Sequence, residues 1–300
     1  MNSKYKTPER FKRALEDRIR KEAIAKGIDI ATFRQKCIFD RFLARIHAHF
    51  GESAVLKGGV ALALLVERAR LTRDVDLMLH GRPNDFLDML QGACALDLGD
   101  FLEFEAGPDP RFPTIEGEGI AYEGLRFRIE AKLAGKIYGS RFGLDVGFGD
   151  RMLVPPEVRH GNDFFSFAEL PVTTIRAYAR EVHLAEKLHA YTLPRPNENS
   201  RVKDLPDIVL LAMAGTLDAM TLRNTVEATF TFRSSHSMPN SLPAPPTSWI
   251  SRYADLAREN ALPWPTIDNV FERASTFLNP VLAGSSGTWN PDSWSWVTSI

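Results

Sequence analysis

Hydrophobic and polar residues alternate in several short segments of the chain, a pattern that predicts β-strands. In residues 74–79, two aspartates and a methionine alternate with three aliphatic residues. Residues 125–133 and 142–148 alternate in the same way, and residues 101–105 form a further predicted strand. Because successive side chains of a strand point to opposite faces, each strand would have one buried and one solvent-facing side.

Helical patterns precede and follow these strands. Near the amino terminus, apolar residues recur every four positions and form one face of a predicted helix: Phe11, Leu15, Ile19 and Ala23. After Pro171 the pattern is mostly helical, and four prolines in residues 238–248 predict a loop or hinge. This order indicates an α+β fold in which residues 1–170 form a lobe with amino-terminal helices and a sheet, and residues 171–300 form a mostly helical lobe, with a cleft between them.

Asp74 and Asp76 are the first candidates for chemistry. The alternation places both carboxylates on one strand face, about 6–7 Å apart for a rise of about 3.3 Å per residue. Such a pair is a natural ligand set for Mg²⁺, which could in turn hold the phosphates of a nucleotide. The alternative interpretation is an acidic pair that is simply solvated.

Asp145 could join this pair. It lies on the polar face of the strand predicted at residues 142–148, and a neighbouring strand would bring it beside Asp74 and Asp76. There it could accept the proton of an attacking hydroxyl. The alternative is that the glycines around it form a turn and that Asp145 is a solvated side chain.

A second group of candidates lies in the carboxy-terminal half. Lys187 follows His183 by one helical turn and could reach a triphosphate as a mobile charge. Asp204 could act with it, or could cap the helix that follows, because Pro206 and an apolar run come next. Asp207, four residues after Lys203, could belong to the same site or could simply pair with Lys203 on the surface. The histidines are interpreted as structural or surface residues, unless His183 helps to position phosphate.

The order of these motifs resembles the AbiEii/AbiGii family of nucleotidyltransferase-like toxins, which have the DNA polymerase β-like fold. The first matching motifs are Leu56-Lys57-Gly58-Gly59 and Leu71-Thr72-Arg73-Asp74-Val75-Asp76-Leu77. The second signature is an Ala185-Glu186-Lys187-Leu188 helix followed by Arg201-x-Lys203-Asp204-x-x-Asp207. The resemblance covers roughly residues 56–211 and implies a nucleotidyltransferase lobe with a mixed sheet.

The resemblance also implies an activity and a set of site residues. The protein would be the toxin of an AbiE-like toxin–antitoxin system that uses Mg²⁺ to transfer a nucleotide from a nucleoside triphosphate to an acceptor hydroxyl, at the 3′ end of tRNA, and so blocks translation. A cognate antitoxin would be a further partner. The implied catalytic residues are Asp74, Asp76, Asp145, Lys187 and Asp204. The implied metal ligands are Asp74, Asp76 and Asp145. The implied nucleotide-binding residues are Lys57, Gly58, Gly59, Arg73 and Lys187.

One departure and two alternative functions accompany this resemblance. Val60 follows Gly59 where many polymerase β-like enzymes have serine after glycine, so the phosphate would rest on backbone N–H groups and on Lys57, which could equally be a surface residue. A phosphotransferase of the same fold would release a nucleoside diphosphate instead of pyrophosphate. A nucleotide-binding regulator would have no turnover.

Composition limits the possible partners and the possible location of the protein. The formal net charge of −1 gives no global attraction to nucleic acid. Up to Lys26, however, nine basic residues accompany four acidic ones, which favours either local RNA contact or an ordinary amphipathic surface helix. Two cysteines are too few for a disulfide framework or a zinc site, and no apolar run is long enough for a membrane span, so we expect a cytoplasmic protein.

All five tryptophans follow the proline-rich segment, where they could stack on bases, anchor a partner or pack on the protein's own core.

Overall fold

The fold was analysed in a computed structural model, which describes residues 4–65, 72, 74–115, 123–149, 154–195, 199 and 201–298. Arg73, a predicted nucleotide-binding residue, lies outside the described residues. The helices are α1 (Pro8–Lys26), α2 (Ile30–Phe50), α3 (Gly58–Leu65), α4 (Phe86–Cys94), α5 (Arg180–Thr192), α6 (Asp204–Met213), α7 (Ala219–Arg233), α8 (Trp249–Glu259) and α9 (Ile267–Leu282). The strands are β1 (Ala54–Lys57), β2 (Asp74–Leu79), β3 (Leu102–Pro108), β4 (Thr114–Ile115), β5 (Glu123–Leu133), β6 (Lys136–Ile137), β7 (Phe142–Phe148), β8 (Glu157–His160), β9 (Thr174–Ala177), β10 (Leu217–Asp218), β11 (Thr288–Asn290) and β12 (Ser295–Val297).

A mixed sheet forms the centre of the molecule. Its strands lie in the order β3-β5-β7-β2-β1-β9-β8, and β4 and β6 also pair with β5. The pairs β2–β7 and β1–β9 are parallel, whereas the other pairs in the sheet are antiparallel. The predicted α+β fold with a mixed sheet is therefore confirmed, and each strand predicted from alternation is present.

The two faces of the sheet have different roles. Helices α1 and α2 form a hydrophobic core with one face of the sheet. Val75, Leu77 and Leu144 of the sheet lie in this core. Helix α1 buries Phe11, Leu15, Ile19 and Ala23, as its periodicity predicts, and its basic residues lie on the outside of an ordinary amphipathic helix. The polar residues of β2, β5 and β7 lie on the other face, which is the face available for a site.

A second core holds the carboxy-terminal helices together. It contains apolar residues of α5 to α9 and also Leu62 of α3, so it joins these helices to the sheet. Trp249, Trp264 and Trp289 are buried in it. The indole nitrogen of Trp289 donates to the carbonyl of Ala212 at 2.8 Å, and that of Trp296 donates to the carbonyl of Phe277 at 2.8 Å. The tryptophans thus pack on the protein's own core.

The proline-rich segment has the irregular structure that its composition predicts. The proline-rich residues 238–246 form neither helix nor strand, as predicted. Among the described residues, no helix has both the length and the apolar character needed to cross a membrane.

Candidate active site

Four charged residues form a row across four neighbouring strands. Lys57 on β1 pairs in register with Asp76 on β2, Asp76 with Asp145 on β7, and Asp145 with Arg126 on β5. Residues in register have side chains on the same face of a sheet, so the row carries charges in the order positive, negative, negative, positive. We call these four residues the charged row.

Asp74 lies beside the charged row at the start of β2. It is exposed, whereas Asp76 is half-buried. The residue opposite Asp74 on β7 is Gly143, whose N–H donates to Oδ1 of Asp74 at 3.2 Å. A Cβ atom at Gly143 would lie 2.6 Å from that oxygen, so the absence of a side chain there leaves room for the Asp74 carboxylate. The structure therefore brings Asp74, Asp76 and Asp145 together on one face, as predicted.

Gly58 and Gly59 lie at the turn from β1 into α3. Gly58 has a φ of +68°, a left-handed conformation that glycine adopts most readily. A Cβ atom on Gly58 would overlap the Asp76 carboxylate, with Cγ only 2.6 Å away, and one on Gly59 would lie 2.8 Å from the side chain of Thr72. Because neither residue has a side chain, the first N–H groups of α3 lie close to Asp76, where a helix amino terminus favours anions.

Arg126 is a site residue that the sequence analysis missed. Its Nε and Nη2 atoms donate to the two carboxylate oxygens of Asp145, each at 2.7 Å. The alternation of β5 already placed Arg126 on the polar face. Alternation alone could not establish the antiparallel register that puts this arginine, and not Arg128, opposite Asp145.

Lys187 and Asp204 also meet. Nζ of Lys187, on α5, lies 2.7 Å from Oδ2 of Asp207 and 3.5 Å from Oδ1 of Asp204, both on α6. Asp207 is fully buried and Asp204 nearly so. Asp204 is the first residue of α6, and the residue at the N-cap position is Lys203. Asp207 is buried and pairs with Lys187, so it does not form a surface pair with Lys203.

Glu186 connects the helical part to the charged row. Its Oε1 atom accepts a hydrogen bond from Nη2 of Arg233 on α7 at 2.8 Å and lies 3.9 Å from Nζ of Lys57. Lys57 is 8% exposed and lies over the ring of Tyr178, with Nζ 5.5 Å from the ring centroid. Lys57 is therefore an interior residue and not a surface residue.

His183 does not provide a positive charge. Its ring is buried and packs against Tyr178, with the ring centroids 5.6 Å apart. Burial, and then the nearby charge of Lys187, lower the pKa of His183 to about 4. The imidazole is neutral near pH 7, so it has no charge with which to bind phosphate.

The Asp76 carboxyl has an unusual proton affinity. Burial raises its pKa to about 6, the Lys57 ammonium opposes the rise, and the negative charges of Asp145 and Asp74 add to it, while Lys187 opposes it weakly. Burial is thus the main cause, and the charge of Lys57 has a larger effect than that of either neighbouring carboxylate. Three carboxylates are a suitable donor set for a hard divalent cation, although in the described part of the chain no three acidic, histidine or cysteine side chains converge closely enough to hold one. In this structure the Asp145 carboxylate instead accepts hydrogen bonds from Arg126.

Comparison with known proteins identifies the family to which this chain belongs. A family model described as the nucleotidyl transferase AbiEii toxin of type IV toxin–antitoxin systems matches residues 41–273. The chain belongs to this family, and it is a nucleotidyltransferase; the predicted family and enzyme class are confirmed. A search of curated proteins finds no match.

One solved nucleotidyltransferase toxin shows the same fold, and two other solved structures match with lower similarity. The nucleotidyltransferase toxin MenT4 from Mycobacterium tuberculosis is similar with a TM-score of 0.56 and 15% identity, over 93% of this chain and 92% of that one. A putative nucleotidyltransferase from Helicobacter pylori matches with a TM-score of 0.42 and 12% identity, over 83% of this chain and 92% of that one. JHP933 from the same organism matches with a TM-score of 0.41 and 14% identity, over 82% of this chain and 94% of that one.

Proposed function

We propose that this toxin-family nucleotidyltransferase uses Mg²⁺ to transfer a nucleotide from a nucleoside triphosphate to the hydroxyl at the 3′ end of tRNA, in the cytoplasm, and so blocks translation. The observation that carries the proposal is the charged row, in which Asp76 lies between Asp145 and Lys57 with the Gly58 backbone packed against it. Carboxylates, a lysine and exposed backbone N–H groups are the groups that bind a metal–triphosphate complex.

Asp74, Asp76 and Asp145 would hold the metal ion. Burial is the main cause of the raised pKa of Asp76, and a bound cation would stabilise the ionised carboxylate that burial disfavours. When bound, the ion would supply positive charge at the phosphates and the reacting oxygens. Mg²⁺ is proposed because the donors are all carboxylate oxygens, which suit hard cations.

The phosphates would be bound by groups on both sides of the cleft. On the sheet side these are Lys57 and the N–H groups of Gly58 and Gly59 at the start of α3. Arg73 keeps its predicted role. On the helical side Lys187 is held by Asp204 and Asp207, which fix its position beside the sheet. Its positive charge would stabilise the negative charge that develops on the phosphates in the transition state.

The reaction would be an in-line displacement. The acceptor hydroxyl oxygen forms a bond to the α-phosphorus, the bond from that phosphorus to the oxygen leading to the β-phosphate breaks, and pyrophosphate leaves. Asp145 would accept the hydroxyl proton. Asp204 acts through Lys187 as a positioning residue. The tRNA acceptor follows from the family resemblance, and a cognate antitoxin from the type IV toxin–antitoxin family.

The test is incubation of the purified protein with total tRNA, Mg²⁺ and each α-labelled nucleoside triphosphate in turn, beside Asp76→Asn. The control is Asp88→Asn, which makes the same chemical change at an exposed position on α4. We expect label in tRNA with the wild type and with Asp88→Asn, and none with Asp76→Asn.

Other results would point to the alternatives. Transfer of label only from γ-labelled nucleotide, with release of nucleoside diphosphate, would indicate a phosphotransferase. Nucleotide binding without any transfer, and growth arrest that Asp76→Asn does not relieve, would indicate a regulator without turnover.

A further inference from the structure

Arg126 forms a bidentate ion pair with Asp145, one of the three proposed metal ligands. Both oxygens of the carboxylate accept hydrogen bonds from the guanidinium at 2.7 Å. A divalent cation on Asp145 would share these oxygens and would lie within a few ångströms of the guanidinium, where two positive charges repel. Arginine pairing and metal binding at Asp145 are therefore in competition.

The pair is placed so that it can be exchanged. The Arg126 side chain is 38% exposed and that of Asp145 is 21% exposed. An ion pair that water can reach is weakened by solvent screening. A divalent cation would be attracted by Asp74 and Asp76 as well as by Asp145, and would compete with the guanidinium for the Asp145 carboxylate.

The guanidinium would stay in the site after it leaves Asp145. Strand β5 is fixed by pairing with both β3 and β7, so the Arg126 backbone does not need to move. The hydrogen bonds to Asp145 are the main cause of a raised pKa of Arg126, burial opposes the rise, and the charges of Asp145, Asp74 and Asp109 add to it, so the side chain lies in the field of two of the carboxylates that would hold the metal. A planar guanidinium with several donors is well suited to phosphate oxygens.

From this geometry we propose that Arg126 is an exchange residue: it pairs with Asp145 in the free protein, and when a divalent cation binds there it turns to the phosphates of the bound nucleotide. The inference rests on the proposed function, because it takes Asp145 as a metal ligand. It adds that Arg126 weakens metal binding when no nucleotide is present and strengthens triphosphate binding when metal is present.

Arg128 offers a matched control. It lies two residues further along β5, on the same face, and is 47% exposed. It pairs with Asp109 at 3.6 Å, and its neighbour in register on β7 is Gly143 instead of a carboxylate. Arg126→Gln and Arg128→Gln therefore remove the same charge from the same strand, but only the first releases Asp145.

The experiment measures two affinities for each protein. Binding of Mn²⁺ alone is followed by electron paramagnetic resonance of the free ion, and binding of inorganic triphosphate in saturating Mg²⁺ by calorimetry. We expect Arg126→Gln to bind Mn²⁺ roughly fivefold more tightly than the wild type and triphosphate roughly tenfold more weakly. Arg128→Gln should match the wild type in both. Opposite changes in one variant cannot come from misfolding, which would weaken both affinities.

Two results would overturn the inference. One is an Arg126→Gln protein whose Mn²⁺ affinity equals that of Arg128→Gln; if the wild type still labels tRNA, the proposed function stands and only the exchange is wrong. The other is a wild type that binds no Mn²⁺ even with triphosphate, which would remove the proposed metal and the exchange together.

Discussion

Gly58 and Asp76 approach each other so closely that no side chain fits between them: a Cβ atom on Gly58 would overlap the Asp76 carboxylate and lie 2.6 Å from its Cγ. The conformation of Gly58 is also left-handed, with a φ of +68°. Gly27, at the end of α1, has nearly the same conformation, with a φ of +63°, but a Cβ atom there would meet no other atom within 4 Å. Comparing alanine substitutions at these two glycines therefore separates the effect of backbone strain from the effect of displacing Asp76.

We expect Gly27→Ala to lower the free energy of unfolding by about 1 kcal/mol, the usual cost of a left-handed non-glycine residue. Gly58→Ala should lower it by more, because the new Cβ atom must also displace the Asp76 carboxylate. Only Gly58→Ala should lose activity, by roughly a hundredfold, because it moves a proposed metal ligand. Urea unfolding and the tRNA-labelling assay check the two effects. Equal activity of the two variants would show that the approach of Gly58 to Asp76 is unimportant.

The raised pKa of Asp76 predicts a titration that the free protein should show. In metal-free protein labelled with ¹³C at the aspartate carboxyl carbons, one signal should titrate near pH 6 and disappear in Asp76→Asn. In Asp145→Asn its midpoint should fall, because a neighbouring negative charge is gone. An unchanged midpoint in Asp145→Asn would mean that the charged row is not electrostatically coupled.

The same shift has a consequence for stability. Since the folded-state pKa of about 6 lies above the ordinary value of 3.8, the folded protein keeps this proton longer than the unfolded chain as the pH rises. The contribution of Asp76 to stability is full below about pH 4 and is lost by about pH 6. Asp76→Asn should therefore flatten the pH dependence of the free energy of unfolding in this window.

Arg233 positions Lys57 through Glu186, and we expect Arg233→Met to raise the KM for nucleotide by roughly tenfold, because Glu186 would no longer be held beside Lys57. Arg233→Lys should recover part of this loss. Arg258→Met is the control. Arg258 on α8 forms a similar ion pair with Asp255, but its side chain is 75% exposed. A normal KM in Arg233→Met would contradict the positioning role.

Lys187 has a structural as well as a proposed catalytic role. Lys187→Met removes the cation that lies 2.7 Å from the fully buried Asp207, and we expect the free energy of unfolding to fall by about 3 kcal/mol. Lys203→Met, which removes an exposed lysine at the start of α6, should change it by less than about 0.5 kcal/mol. Urea titration of both variants gives the comparison. Similar values for the two would mean that the Lys187–Asp207 pair contributes no stability.

The sequence predicted those features that depend on local patterns. Alternation located β2, β5 and β7 and placed Asp74, Asp76 and Asp145 on polar faces, and a period of four located the buried side of α1. Which carboxylate meets which cation depends on strand register and on contacts between distant segments. For that reason the roles of Arg126, Glu186 and Arg233 were missed, and the alternative of a surface pair between Lys203 and Asp207 is wrong, since Asp207 is wholly buried.

Strand β9 shows the same limit. It is four residues long, too short for alternation to stand out from the helical pattern around it, and its place beside β1 is a long-range pairing. Contacts of this kind are not contained in any local window of the sequence. The predicted boundary between residues 170 and 171 stays a prediction, but β9 belongs to the central sheet.

The position of β9 matters for anyone who would divide this toxin into separately expressed halves. A fragment ending at residue 170 would lack the strand that pairs with both β1 and β8, and so would expose the edge of the strand that carries Lys57. Uncovered sheet edges are templates for aggregation. A break after Ala179, just before α5 begins, would leave β9 and β8 in the sheet. It would also place Lys187 and the carboxylates on different fragments, so neither fragment alone should be active. Reassembly of the two fragments could then be detected as growth arrest.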